Sequence, residues 1–89
     1  MLSDIDALNI HLAAVAKDLG LTASARLIAA NASDISSGGS RVEVVVADPA
    51  TASARKCRKS VTAAYYQNAG IHTFDEFIRT EAARELKAR

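Results

Sequence analysis

The chain has 89 residues, of which 49% are hydrophobic and 4% aromatic, and its net charge is +1. A chain of this length predicts one small domain with a thin core. No apolar run reaches the roughly 20 residues that a membrane-spanning helix needs. Asp4 and Asp6 stand where a signal peptide carries positive charge, and the single cysteine, Cys57, excludes an intrachain disulfide. These features predict a cytoplasmic protein that does not enter a membrane.

The first segment has the spacing of a helix. Its large apolar residues follow one another at steps of three and four, which places them on one helical face. They are Ile5, Leu8, Leu12, Val15 and Leu19. Gly20 stands where a glycine often ends a helix, and Thr22 is a suitable cap for a second helix over residues 23–32.

Residues 33–40 are rich in Ser and Gly and predict a linker. This linker separates an N-terminal helical segment, residues 1–32, from a second domain, residues 41–89. Residues 1–40 hold two basic and four acidic side chains, whereas residues 41–89 hold nine basic and six acidic ones. The second domain is therefore the expected place for an anionic partner.

The stretch SRVEVVVADP, residues 40–49, predicts a β-strand. Val42, Val44 and Val46 alternate with other side chains, and β-branched residues at a period of two are typical of strands. Asp48 followed by Pro49 then predicts the start of a helix, because Pro lacks only an N–H that would be unpaired there.

Two helices are expected after this strand. The first begins at about residue 49 and ends at the sequence NAG, residues 68–70. Its basic residues spread over the side opposite to its apolar ones; they are Arg55, Lys56, Arg58 and Lys59. Thr73 and Glu76 have the spacing of a capping box for the last helix.

A single strand leaves its backbone groups without partners, and buried backbone groups are nearly always paired. The economical solution is a second copy of the chain, whose strand pairs antiparallel about a twofold axis. The sequence thus predicts a homodimer with one strand per chain. Its expected core residues are Val42, Val44, Val46, Val61, Phe77 and Ile78.

The segments RVEVVVADP, ARKCRKSV, the Gly70 turn and HTFDEFI resemble the ribbon-helix-helix (MetJ/Arc) superfamily. Within it they look like the small ParB- or ParG-like centromere-binding proteins of plasmid partition systems. The resemblance covers residues 41–89. It implies a mainly α, homodimeric, sequence-specific DNA-binding protein that reads tandem sites in the major groove, with repression of its own promoter as a second implied role.

The resemblance also implies which residues contact DNA. Arg41, Glu43 and Val45, on the outward side of the strand, would contact bases, because a two-stranded ribbon fits the major groove. Glu43 would accept a hydrogen bond from cytosine or orient Arg41. Phosphates would be bound at the start of the last helix by His72, Thr73 and Phe74. For Arg55 and Lys59, phosphate contact and an ordinary solvated helix face are equally open.

Other roles for the N-terminal segment stay open. The partition resemblance implies that residues 1–35 contact a ParA-type ATPase, with Lys17 and Arg26 as the candidate residues. The alternative is a ribbon-helix-helix transcriptional repressor or antitoxin whose N-terminal segment binds a partner protein. The stretch AVAKDLGLTASARLI also loosely resembles a helix-turn-helix.

The sequence predicts no enzyme, no cofactor and no small-molecule substrate. His11 and His72 lack companion ligands at metal spacing, and no Ser or Thr is matched with a base and an orienting acid. SSGGS has neither the spacing nor the Lys of a phosphate-binding loop. We therefore expect no catalytic and no metal-binding residues, and Cys57 is expected to pack in the core.

Overall fold

The computed structural model describes residues 4–28, 40–61 and 70–87. These residues form a three-stranded antiparallel sheet with helices packed on one of its faces. The strands are β1 (Thr22–Ile28), β2 (Ser40–Ala47) and β3 (Ala54–Val61). The helices are α1 (Asp4–Asp18) and α2 (Gly70–Phe77), and α2 continues through a π-helical turn (Ile78–Ala82) into α3 (Ala83–Lys87).

Strand β2 lies in the middle of the sheet, in the order β1-β2-β3. On one side its partners run from Thr22, opposite Ala47, to Ile28, opposite Arg41. On the other side every residue of β2 has a partner in β3. The hydrogen-bonding ladder of β2 is therefore completed on both sides within one chain.

The expected mainly α ribbon-helix-helix fold is wrong. The prediction of a strand at β2 is confirmed, but its partners are residues 22–28 and 54–61, and both of these segments were expected to be helical. The prediction of a homodimer consequently loses its main argument, because the strand needs no second copy to satisfy its backbone.

One core joins the segments on both sides of residues 33–40. The apolar face of α1 and the three valines of β2 pack with Phe74, which is fully buried. All six residues expected in a dimer core are buried here within the single chain; they are Val42, Val44, Val46, Val61, Phe77 and Ile78. Their burial is as expected, but they are buried within one chain, where the sheet packs on the helices, and not between two chains.

Gly20 ends α1 as predicted. Its φ is +71°, a conformation that glycine adopts without a Cβ penalty. The Leu21 N–H donates to the Ala16 carbonyl at 2.8 Å and the Gly20 N–H donates to the Lys17 carbonyl at 3.0 Å. This pair of bonds is a Schellman motif, and it turns the chain directly into β1.

Asp48 begins a hairpin turn and not a helix, so the expected helix start at Asp48 and Pro49 is wrong. The Asp48 carboxylate accepts a hydrogen bond from the Ala50 N–H at 2.9 Å. Its carbonyl accepts from the Ala52 N–H at 2.8 Å, and its own N–H donates to the Ser53 carbonyl at 2.9 Å. An Asp side chain that bonds to the backbone two residues on stabilises turns and helix starts alike.

The last helical segment begins at Gly70, so Thr73 lies inside α2 and the expected capping box at Thr73 is wrong. Residues 33–39 of the expected linker and residues 62–69 lie outside the described residues. None of the described helices has the length and apolar character required to cross a bilayer.

Candidate nucleic-acid interface

The sheet has an inner face, which packs on the helices, and an open face. Successive side chains of a strand point to opposite faces, and residues that are paired across strands share a face. Because Val42, Val44 and Val46 are buried in the core, the neighbours of Glu43 in the register lie on the other side. The open face is made of Thr22, Ser24, Arg26, Ile28, Arg41, Glu43, Val45, Ala47, Ala54, Lys56, Arg58 and Ser60.

This open face carries strong positive charge. Three basic side chains, Arg26, Lys56 and Arg58, are exposed, and Arg41 is half-buried. Glu43 is the one acidic side chain among the residues named above. All three strands contribute a basic residue, so the charge extends across the whole width of the sheet.

Arg26, Glu43 and Arg58 form one row across the sheet. The register places Arg26 and Arg58 opposite Glu43 on its two sides. The Nε of Arg26 donates to Oε1 of Glu43 at 3.1 Å, and the Nε of Arg58 donates to Oε2 at 2.7 Å. Glu43 is only 1% exposed, whereas the side chains of Arg26 and Arg58 remain 68% and 54% exposed.

The two arginines keep Glu43 ionised. The hydrogen bond from Arg58 lowers the pKa of Glu43, burial opposes this shift, and the hydrogen bond and charge of Arg26 lower the pKa further. The pKa of Glu43 is therefore lower than its ordinary value of 4.5. A carboxylate can therefore stay charged in the middle of the sheet because both of its oxygens are paired.

Arg41, Glu43 and Val45, the expected base-contacting residues, do share the open face. They lie on the central strand of a three-stranded sheet, however, and both oxygens of Glu43 accept hydrogen bonds from arginines. Arg26, Lys56 and Arg58 belong to the same face and were not expected there. Their common face follows from the sequence only if residues 22–28 and 54–61 are strands.

The expected phosphate-contacting residues lie elsewhere. Arg55 and Lys59 are paired with Val46 and Val42, which places them on the helix side of β3. Arg55 forms an ion pair with Glu85 at 2.7 Å. His72, Thr73 and Phe74 are on α2, where Phe74 is fully buried. The structure therefore does not bring this set together with Arg41 and Val45.

A groove of about 270 Å³ lies between β3 and the last helical segment. Its lining residues are Lys56, Cys57, Lys59, Thr73, Glu76, Phe77, Thr80 and Glu81. Cys57 is half-buried and packs against the core. Burial raises the pKa of its thiol, which disfavours the reactive thiolate. In the part of the chain that is described, no three His, Cys, Asp or Glu side chains are grouped to hold a metal ion.

Comparison of the chain with protein-family models, with curated proteins and with solved structures finds no match.

Proposed function

We propose that the protein binds double-stranded DNA through the open face of its sheet. The observation that carries this proposal is the placement of four basic side chains on one surface; they are Arg26, Arg41, Lys56 and Arg58. Lys and Arg side chains that neutralise DNA phosphates release condensed counterions, and this release supplies most of the affinity of non-specific binding. Glu43 offsets one of these charges, so the open face has an excess of three positive charges.

Duplex fits this surface better than single-stranded nucleic acid. Proteins that bind single strands stack the bases on aromatic side chains. Phe74 and Phe77, the aromatic residues in the described part of the chain, are buried. The positions between the basic residues hold Ser24, Ile28, Val45 and Ser60, and the two serines leave room for a phosphate backbone to approach.

B-form DNA fits better than A-form RNA. The major groove of B-form DNA is wide enough for side chains to reach the base edges, whereas the major groove of A-form RNA is too deep and narrow for side chains to read. Of the expected base-contacting residues, Glu43 already accepts hydrogen bonds from Arg26 and Arg58 on both of its carboxylate oxygens. Phosphate contacts would therefore dominate the affinity.

The proposal keeps double-stranded DNA as partner and the cytoplasm as location. The partition role, the ParA-type ATPase partner for residues 1–35, and the alternative role as repressor or antitoxin remain predictions, as does the homodimer. The paired two-stranded ribbon is not part of the proposal, because β2 pairs within its own chain.

The proposal is tested by the salt dependence of DNA binding. We expect the full chain to bind a fluorescently labelled duplex of mixed sequence, with an affinity that falls as salt rises. Lys56→Ala should weaken binding to all sequences and make the slope of log K against log salt shallower by about 1, because one phosphate contact is lost. Fluorescence anisotropy at several salt concentrations measures both quantities.

Lys17→Ala is the matched control, because Lys17 is exposed on α1, away from the open face. It removes the same charge, so we expect the slope to stay as in the wild type. Equal losses for Lys17→Ala and Lys56→Ala would show that the open face has no special part in binding. Absence of duplex binding at low salt would refute the proposal.

A further inference from the structure

We infer that Arg26 and Arg58 form a pair of phosphate-binding forks whose orientation is set by Glu43. This inference rests on the proposed DNA binding, and it assigns Glu43 the part of a positioning residue. The ligand is the phosphodiester group of the DNA backbone.

The location of Glu43 calls for an explanation beyond stability. Moving a carboxylate out of water is costly, and buried ion triads are often no more stabilising than apolar residues of similar size. Val45, two residues along the same face, shows that an apolar side chain can occupy the central strand. Glu43 is instead 1% exposed and carries a negative charge in the centre of a basic face.

The hydrogen bonds of Glu43 leave the outer ends of both guanidinium groups available. Each arginine donates its Nε to a different oxygen of Glu43, at 3.1 and 2.7 Å. A guanidinium has five N–H donors in a planar fork. The Nε of each arginine is bound to Glu43 and the side chains remain 68% and 54% exposed, so the terminal nitrogens are the donors that a phosphate would contact. Such a fork matches the geometry of phosphate oxygens.

The fixed orientation lowers the cost of binding. A free arginine side chain loses rotamer entropy when it binds a phosphate, and a side chain that is already held loses less. Glu43 holds two such side chains from the two outer strands at once. One buried carboxylate thus preorganises contacts on both sides of the sheet.

An effect of net charge alone and a positioning role of Glu43 predict opposite changes in DNA affinity for the Glu43→Gln variant. If only net charge mattered, removal of a negative charge would tighten DNA binding and steepen its salt dependence. If Glu43 positions the arginines, the variant should bind the labelled duplex roughly tenfold more weakly, which is the loss of about one good charge-assisted contact. Its salt slope should be shallower by about 1.

Glu85→Gln is the matched control. Glu85 pairs with Arg55 on the helix side of the sheet, so the substitution makes the same change of charge away from the open face. We expect it to bind DNA as tightly as the wild type or more tightly. Binding by Glu43→Gln that is equal to or tighter than the wild type would overturn the inference.

A second variant keeps the test decisive if Glu43→Gln does not fold. Arg26→Lys preserves the charge but removes the fork, so binding should weaken, whereas Lys56→Arg should bind at least as well as the wild type. Wild-type affinity of Arg26→Lys at every salt concentration would overturn the inference. That result, combined with weak binding by Lys56→Ala, would leave the proposed DNA binding in place. Absence of duplex binding by the wild-type protein would refute both the proposed DNA binding and the inference about Glu43.

Discussion

Ala52 has a positive φ of 61°, which is unusual for a residue with a Cβ. It closes the turn between β2 and β3, where its N–H donates to the Asp48 carbonyl at 2.8 Å. The left-handed region costs an L-residue about 1–2 kcal/mol, and glycine avoids this cost. Part of the gain is offset by the greater freedom of glycine in the unfolded chain. We expect Ala52→Gly to raise the free energy of unfolding by about 0.5 kcal/mol, as measured by urea denaturation.

Ala50→Gly in the same turn is the control for this substitution. The φ of Ala50 is not positive, so glycine brings only the additional freedom of the unfolded chain. We expect this variant to lose up to about 1 kcal/mol of unfolding free energy. The strain assigned to Ala52 would be disproved if Ala52→Gly were destabilised as much as Ala50→Gly.

Glu43 illustrates what residue patterns can predict of the candidate site. Glu43 stands among valines, and orientation of an arginine is one of the two roles expected for it from the sequence. The expected partner was Arg41, on the same strand. The structure instead pairs Glu43 with Arg26 and Arg58, because these residues are its direct neighbours in the register. Neighbours across strands are not visible in a sequence when the strands themselves are not recognised.

At the level of elements, a side chain of α1 protects the edge of β1. The Nδ2 of Asn9 donates to the Ala25 carbonyl at 2.6 Å, and the Ala25 N–H donates to Oδ1 of Asn9 at 2.7 Å. These bonds replace a neighbouring strand at the middle of the edge. We expect Asn9→Ala to lower the free energy of unfolding by about 2 kcal/mol, because both backbone groups of Ala25 lose their partner.

Ile10→Ala provides the comparison for Asn9→Ala. Ile10 is the next residue of α1 and is 59% exposed, so its substitution should change the free energy of unfolding by no more than about 0.5 kcal/mol. Chemical denaturation measures both variants, and sedimentation shows whether the uncovered edge of β1 promotes association in Asn9→Ala. Equal stability of Asn9→Ala and Ile10→Ala would mean that Asn9 does not hold the edge.

The sequence predicts α1 and β2 but not β1 and β3, and the reason is physical. The long apolar residues of α1 and the alternating valines of β2 are large enough to mark their faces. On the inner side β1 has Ala23 and Ala25, which favour helix by propensity, and Leu27, which is 53% exposed. Strand β3 is an outer strand with basic residues on both faces, so it lacks the alternation of a half-buried strand. The preference of a residue for a strand depends mostly on the side chains that pack against it from neighbouring strands.

The residues of the open face could be predicted only on the strand that the sequence predicts, which is β2. Arg41 and Val45 follow from the alternation in β2 alone. Lys56 and Arg58 join them because the turn at Asp48 folds β3 back along β2. The same dipeptide, Asp48 followed by Pro49, suits a helix start and a hairpin turn equally well. The choice between the two depends on packing that is distant in sequence.

For the whole molecule, two buried carboxylates connect separate elements. Glu43 joins the three strands through Arg26 and Arg58. Asp48 is 4% exposed, and it joins the turn between β2 and β3 to α3 through Lys87, whose Nζ lies 3.2 Å from its Oδ1. The hydrogen bond from the Ala50 N–H lowers the pKa of Asp48, burial opposes this shift, and Lys87 lowers the pKa further.

These lowered pKa values predict how stability depends on pH. A carboxyl group whose pKa is lower in the folded protein contributes stability above its unfolded pKa and loses that contribution as pH falls through its folded pKa. The ordinary values are 4.5 for Glu43 and 3.8 for Asp48. We therefore expect the free energy of unfolding to begin to fall below about pH 4.5 and to continue falling under more acid conditions.

The double variant Glu43→Gln, Asp48→Asn isolates this contribution. It should be less stable than the wild type at neutral pH and should lose less stability between pH 5 and 3, because two of the groups that take up protons on unfolding are gone. Glu85→Gln is the control: its ion pair is exposed, with the Glu85 side chain 42% accessible, and solvent screens such pairs. Urea denaturation across this pH range compares the three proteins. If the free energy of unfolding fell as steeply between pH 5 and 3 in the double variant as in the wild type, other carboxylates would be responsible for the acid sensitivity of the fold.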